Sequence, residues 1–310
     1  MNKQPRRRMD LIIGVALAGL IIAGVAFGQR SRARDRHSIE GEAAVTATKF
    51  DDAIAAFTQA IELDAAVATN YVSRAAALCR KGEFEKALVD CDKAIALDAN
   101  LATAFLNRSC AELGLANLER AVADATRALE IDPELAEAFA NRGAAFLKRG
   151  DIEPAIANCS QALALNAELG NAWFCRAVAQ SRKGAVQLAL ADYDEAARLE
   201  PTCADIPINR GIIYLGLGNL EKATRDFDLA IALNPQSAEA HAYRGALALS
   251  KDAPQQAIAD CTNALALNSK LAPAYWTRAI AHGRLGNTQA AQSDQAKAMS
   301  LEPAFANEKR

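Results

Sequence analysis

The sequence predicts an all-α protein built as a linear array of about eight helical hairpins. The first observation is a period of 34. Residues Ala65, Ala99, Pro133, Ala167, Pro201, Pro235, Ser269 and Pro303 are equally spaced, and each closes a similar run (IELDA, IALDA, LEIDP, LALNA, ARLEP, IALNP, LALNS, MSLEP). A fixed period of this size marks stacked repeats, which grow by adding units and not by enlarging one core. The second is a pair of invariant alanines. With Arg34 as position 1, position 20 is Ala in all eight units (Ala53 to Ala291), and so is position 27 (Ala60 to Ala298). Seven residues apart, they share one helix face, where only a small side chain lets a neighbouring helix lie close. The third is composition: 51% hydrophobic residues with 5% aromatics, much of the apolar share being Ala, the best helix former.

Residues 1–33 precede the array. The run 11–27, LIIGVALAGLIIAGVAF, carries no charge. As a helix it spans about 26 Å, the short end of a bilayer crossing. The predicted membrane segment is about 9–28. Lys3, Arg6, Arg7 and Arg8 precede it, and Arg30, Arg32, Arg34 and Arg36 follow. Two readings stand: a retained anchor, or a signal peptide cleaved at Ala26-Phe27-Gly28. The length of the run and the arginines beyond it favour the anchor. The flanking charges nearly balance, so orientation is weakly set. A short basic tail is costly to translocate, which places the array outside the cytoplasm. Free thiols argue the other way.

The array itself covers 34–305 as 34–67, 68–101, 102–135, 136–169, 170–203, 204–237, 238–271 and 272–305, with a tail at 306–310. Within a unit, helix A opens with a large residue at position 4 (Tyr71, Phe105, Phe139, Trp173, His241, Tyr275). Position 8 is small throughout (Gly41, Ala75, Ser109, Gly143, Ala177, Gly211, Gly245, Ala279). Glycine at position 15 (Gly82, Gly150, Gly184, Gly218, Gly286) ends helix A in a left-handed turn. Asn117, Asp151, Asn219 and Asn287 are placed to cap helix B, and Glu85, Glu119, Glu153 and Glu221 suit its first turn. Pro133, Pro201, Pro235 and Pro303 close it. Helix A of the first unit (34–47) is degenerate, with Thr48 at the glycine position. Pro207 at position 4 of the sixth unit predicts a late helix start. Thr288, Gln292 and Gln295 give the last unit the polar outer face that an array end requires.

This pattern of large residue, Arg, small residue, Gly, Ala, Ala and Pro resembles the tetratricopeptide repeat family over 34–305. The resemblance implies a right-handed superhelical solenoid whose A helices line a concave groove for a peptide or protein partner. It also implies that positions 2, 5, 6, 9, 12 and 13 face that groove. Those positions supply the candidate site: Val72, Leu106, Phe174, Ile208 and Trp276 at position 5; Asn107, Asn141, Asn209 and Tyr243 at position 6; Ile212 and Ile280 at position 9; Arg182 and Arg284 at position 13. The expected surface is an apolar trough with spaced amides, anchored by Phe174 and Trp276, since aromatics dominate interface energetics. The family's clamp for acidic chaperone tails needs Lys at position 5 with Asn at position 9, and neither is present.

Position 7 is Arg in seven consecutive units (Arg74 to Arg278). Position 23 is acidic in six of them (Asp90, Asp124, Asp192, Asp226, Asp260, Asp294), with Asn158 the exception. One-to-one matching predicts Arg–carboxylate pairs between helices, in preference to an anion-binding ladder. Whether partners share a unit stays open at this stage.

Seven cysteines, without a CxxC, read as small buried hydrophobes, with pairs such as Cys79–Cys91 open. The three histidines, His37, His241 and His282, sit in no metal or catalytic motif, and neither a nucleophile elbow nor a phosphate loop occurs. The net charge of −2 offers no footprint for nucleic acid. The expectation is a non-enzymatic interaction scaffold without cofactor, metal or nucleic acid. It takes protein or peptide partners and is tethered by 11–27 to a bacterial inner membrane; the alternatives are an exported soluble form and, from another class, an enzyme with an unrecognised site.

Overall fold

The structure is a computed structural model that describes residues 28–307. The predicted membrane segment, including 11–27, lies outside the described residues. No described helix is long and apolar enough to cross a membrane. The regular elements among the described residues are all helices. A leading helix, α1 (28–46), is followed by α2 (Phe50–Leu63), α3 (Ala68–Lys81), α4 (Phe84–Leu97), α5 (Ala102–Gly114), α6 (Leu118–Ile131) and α7 (Ala136–Arg149) in one compact body ending at Gly150. A second body starts at Asp151 with α8 (Ile152–Leu165), α9 (Gly170–Lys183), α10 (Val186–Leu199), α11 (Asp205–Gly216), α12 (Leu220–Leu233), α13 (Ala238–Ser250), α14 (Pro254–Leu267), α15 (Ala272–Arg284) and α16 (Thr288–Leu301). A 3-10 turn, Pro303–Asn307, ends it.

Odd-numbered helices are the A helices and even-numbered ones the B helices. Inside each body a helix packs on its sequence neighbours, and each A helix also packs on the next A helix: α3 on α5, α5 on α7, α9 on α11, α11 on α13, α13 on α15. Within each body the A helices therefore form a continuous layer backed by the B helices. The invariant alanines make this close packing feasible. All sixteen are buried, fifteen of them with no accessible surface. In three units a glycine at position 8 makes room for the side chain at position 24 of the same unit. A Cβ on Gly41 would lie 2.7 Å from the Phe57 ring, one on Gly211 2.8 Å from Phe227, and one on Gly245 2.7 Å from Cys261 Sγ. Cys91, Cys159 and Cys261, all at position 24, are fully buried, as the reading of cysteine as a small hydrophobe requires.

Position 15 is left-handed in every unit. The five glycines have φ between 71° and 94°, and Thr48 (57°), Ala116 (60°) and Asp252 (55°) adopt the same conformation without a glycine. Helix B begins two residues later. The predicted caps are only partly used: Asn219 accepts from Lys222 N, whereas Asn117 donates to Glu112 Oε2 at 2.6 Å. Helix B ends at position 30 for a reason that proline alone does not supply. Asp64, Asp98, Asp132, Asn166, Asn234 and Asn268, at position 31, each accept a hydrogen bond from the backbone two residues on. This is an Asx turn, and it stops the helix whether or not Pro follows. In the sixth unit α11 starts one residue late, as Pro207 predicts.

The position-7 arginines join the hairpins. In Arg74, Arg108, Arg176, Arg210, Arg244 and Arg278, Nε and Nη2 grip both oxygens of the position-23 aspartate of the same unit at 2.6–3.1 Å. Nη1 turns the other way, to position 25 of the preceding unit. It meets Asp92, Asp194 and Asp228, or the hydroxyls of Thr58, Ser160 and Thr262, at 2.7–3.2 Å, and Arg142 Nη1 meets Thr126 Oγ1 in the same way at 3.2 Å. The guanidinium also lies over the position-4 ring one turn earlier, 4.8–5.8 Å from its centroid for Tyr71, Phe105, Phe139, Trp173 and Tyr275. The aspartate side of the pair is buried. The paired carboxylates raise the pKa values of Arg74, Arg108, Arg210, Arg244 and Arg278 against the opposing effect of desolvation.

Asp226→Ala leaves the Arg210 guanidinium without its buried partner and is expected to cost about 3 kcal/mol. Asp194→Ala, which removes the exposed partner of the same arginine, is expected to cost less than about 1 kcal/mol; urea midpoints compare the two. At position 15, no atom lies within 4 Å of a Cβ built on Gly82. Gly82→Ala should thus lose about 1 kcal/mol by backbone strain alone, and Thr48→Gly should recover a similar amount, read as opposite shifts in thermal midpoint.

Candidate functional site

The predicted groove residues lie on the layer of A helices, and the structure assigns much of that face to holding repeats together. At position 5, Val72 and Leu106 are half-buried. Each shares an apolar cluster with the residue that closes its own unit, Leu101 and Leu135 respectively. Ile208 is only 4% exposed, against Ala230 and Ala240, and so belongs to the core. Phe174 packs on the core, its ring 6.0 Å from that of Tyr193. Trp276 stacks on Phe305 at 5.2 Å. Residues 303–307 are therefore folded against the last repeat. Phe305 at position 34 does for Trp276 what Leu101 does for Val72.

The amides at position 6 are engaged. Asn107 Nδ2 donates to the Val72 carbonyl, 35 residues earlier, at 2.9 Å. Asn141 Nδ2 donates to Ser109 Oγ at 3.0 Å and to the Leu106 carbonyl at 3.4 Å. Both tie one A helix to the A helix before it. Asn209 instead donates within its own helix, to the Asp205 carbonyl. Tyr243 stacks on Phe227 at 5.9 Å, and burial raises its hydroxyl pKa. Ile212 is packed between the Phe227 and Ala230 clusters. Ile280, 38% exposed, presents more apolar surface.

Arg182 and Arg284 are exposed at position 13. Arg284 Nη1 donates to the Leu249 carbonyl at 2.7 Å, and Lys148 Nζ makes the equivalent bond to Leu113. Each cation thus sits on the last carbonyls of the preceding A helix, where the helix dipole favours it. His241, at position 4, is buried, and its Nε2 meets the Pro235 carbonyl at 3.2 Å. The Tyr71 hydroxyl and Trp173 Nε1 make the same contact six residues back, to Ala65 and Ala167.

Position 11 was not singled out from the sequence, yet it sets the character of the clefts between successive hairpins. In the first body two such clefts have volumes of about 360 Å³ each. Leu78, Ile54 and Val89 make one apolar. In the next, buried Glu112 takes the place of Leu78, among Arg108, Arg120 and Asp92. The available signal was variability: Leu78, Glu112, Phe146, Gln180, Tyr214, Ala248 and His282 occupy one position of an otherwise regular unit.

Models of the tetratricopeptide repeat match residues 40–102 and 208–275, and 102–135 and 272–305. Together these segments cover more than half of the chain. Among curated proteins, none matches. Among solved structures, the chain is similar to the APC/C hetero-tetramer Cut9–Hcn1 (18% identity, TM-score 0.71, 82% of this chain and 50% of that one). It is also similar to a tetratricopeptide repeat protein from Parabacteroides merdae (17%, 0.57, 81% and 99%) and to pilF of Pseudomonas aeruginosa (20%, 0.57, 70% and 98%). The chain spans half the length of the Cut9–Hcn1 chain. At these identities the likeness is one of fold. With its phased hairpins, its buried alanine stripe and these family matches, the chain belongs to the tetratricopeptide repeat family.

Proposed function

We propose that the protein is a non-enzymatic scaffold that holds protein or peptide partners on the A-helix face of a right-handed superhelix, tethered to the bacterial inner membrane through residues 11–27 with the repeats outside the cytoplasm. The observation that carries the scaffold reading is the continuous layer of A helices within each body, a surface that no single globular core would leave open. A partner meets Ile280, the edge of Trp276 and the cations at position 13, with the amide oxygens of position 6 as acceptors. The apolar contribution is smaller than the residue identities suggest, because position 5 is largely spent on packing. Binding then draws on a few exposed apolar groups and a polar rim, the anatomy of a non-obligate interface.

The tether rests on the uncharged run 11–27 and on the arginines that open α1, where Arg32 and Arg36 are exposed. Such cations suit the headgroup region beside a span.

Ile280→Glu places a charge on the face without touching the core. It is expected to weaken partner capture at least tenfold in a cross-linking pull-down from native membranes, with the melting temperature unchanged; undiminished capture would remove the A-helix face from the reading. For the tether, the protein should resist carbonate extraction, dissolve in detergent, and yield an N-terminal sequence that begins before residue 11. A mature N-terminus near Gly28 with full carbonate release would instead establish the exported soluble form.

A further inference from the structure

The arginines that open α1 are not equivalent. Arg32 and Arg36 are exposed on its outer side. Arg30 and Arg34, one turn apart on another face, turn toward the end of α2. With Ser31, Leu63, Asp64 and Ala65 they line a cleft of about 280 Å³. Arg34 is committed to holding the cleft together. Its Nη1 grips Asp64 Oδ2 at 2.8 Å, its Nε holds Asp35 Oδ1 at 2.8 Å, and its Nη2 donates to Ser31 Oγ at 3.1 Å. The other oxygen of Asp64 accepts from the Ala66 backbone at 3.1 Å. The acidic side chain in the lining is therefore already satisfied on both oxygens.

What remains for a ligand is all donor. Arg30 uses one N–H, from Nη2 to the Glu62 carbonyl at 3.2 Å, out of the five that a guanidinium offers. Ser31 accepts from Arg34, which leaves its own hydroxyl hydrogen to give. Among the described residues neither group has a further partner. The lining also carries two cations, Arg30 and Arg34, against one anion, Asp64, an excess of one positive charge. Unused N–H and O–H donors with a single surplus charge match a monoanion rich in acceptor oxygens, and arginine forks suit phosphate oxygens well. Position along the chain selects among such anions. The uncharged run ends at residue 27, three residues before Arg30, a separation of about 4.5 Å along a helix.

We propose that this cleft binds the phosphodiester of a membrane phospholipid, with Arg30 and Ser31 as donors and Arg34 as the fixed charge behind them. The source of the ligand rests on the tether reading above; the geometry of the cleft does not. Because the cleft is walled by α1 on one side and the end of α2 on the other, a bound headgroup joins the first hairpin to the membrane surface at a second point beside the span.

The test measures retention of radiolabelled phosphatidylglycerol on the immobilised full chain in mild detergent. The lipid should bind saturably, and unlabelled phosphatidylglycerol should displace it at least tenfold better than diacylglycerol of the same acyl chains, which lacks the phosphate. Arg30→Gln should weaken retention at least fivefold. Arg32→Gln removes the same charge from an exposed position outside the cleft and should change retention less than twofold. Far-UV circular dichroism checks that both variants are folded. Equal losses in the two variants would reduce the effect to unspecific attraction and overturn the proposal, as would displacement by diacylglycerol. Inorganic phosphate should compete at least tenfold more weakly than the lipid; competition as strong as the lipid's would assign the cleft to a free anion and overturn the lipid as its ligand. Acetate should compete less than phosphate does, and equal competition would overturn the phosphodiester in favour of a carboxylate. Retention that depends on Arg30 in a chain released by carbonate would keep the site and remove only the tether. Loss of retention in a chain that resists carbonate would do the reverse.

Discussion

Four of the position-7 arginines, Arg74, Arg108, Arg176 and Arg278, make three commitments at once. In Arg176, two nitrogens hold the buried aspartate of its own helix B, a third reaches back to helix B of the preceding unit, and the flat face rests on the ring at position 4. Those directions correspond to the three relations that define a stacked array: within a helix, across a hairpin, and between hairpins. A guanidinium serves here where an ammonium would not, because its donors are fixed in a plane and match a carboxylate bidentately. A buried pair of this kind adds little net stability against an apolar alternative, but breaking one half is costly. Its contribution is to register.

Around these pins the packing is governed by what is missing. Helices approach closely because positions 20 and 27 carry a single methyl group. Position 8 loses even that where position 24 is Phe57, Phe227 or Cys261. The turns follow equally local rules. An Asx side chain stops helix B, and a left-handed residue stops helix A. In three units that left-handed residue is a non-glycine held there by its surroundings, so the backbone geometry is imposed by the stack and not chosen by the residue.

The A-helix face illustrates how a repeat divides its surface between cohesion and recognition. A stacked hairpin has to spend part of its inner face on its neighbour, and here position 5 and the position 6 amides of Asn107 and Asn141 are so used. What remains for a partner is position 9, the cations at position 13 and the clefts whose character position 11 sets.

By itself the sequence determined the repeat, the two-helix make-up of each unit and the existence of the arginine–aspartate pairs. All of these follow from local chemistry repeated at a constant interval, and repetition multiplies a weak signal eightfold. Only the tertiary structure decided where each arginine nitrogen goes, that Ile208 and Phe174 belong to the packing, that Asn107 and Asn141 join neighbouring A helices, and that Phe305 folds onto Trp276. These are contacts between residues 16 to 35 apart in the chain. They depend on how far one hairpin is turned and shifted against the next, a quantity that no single unit of the sequence contains.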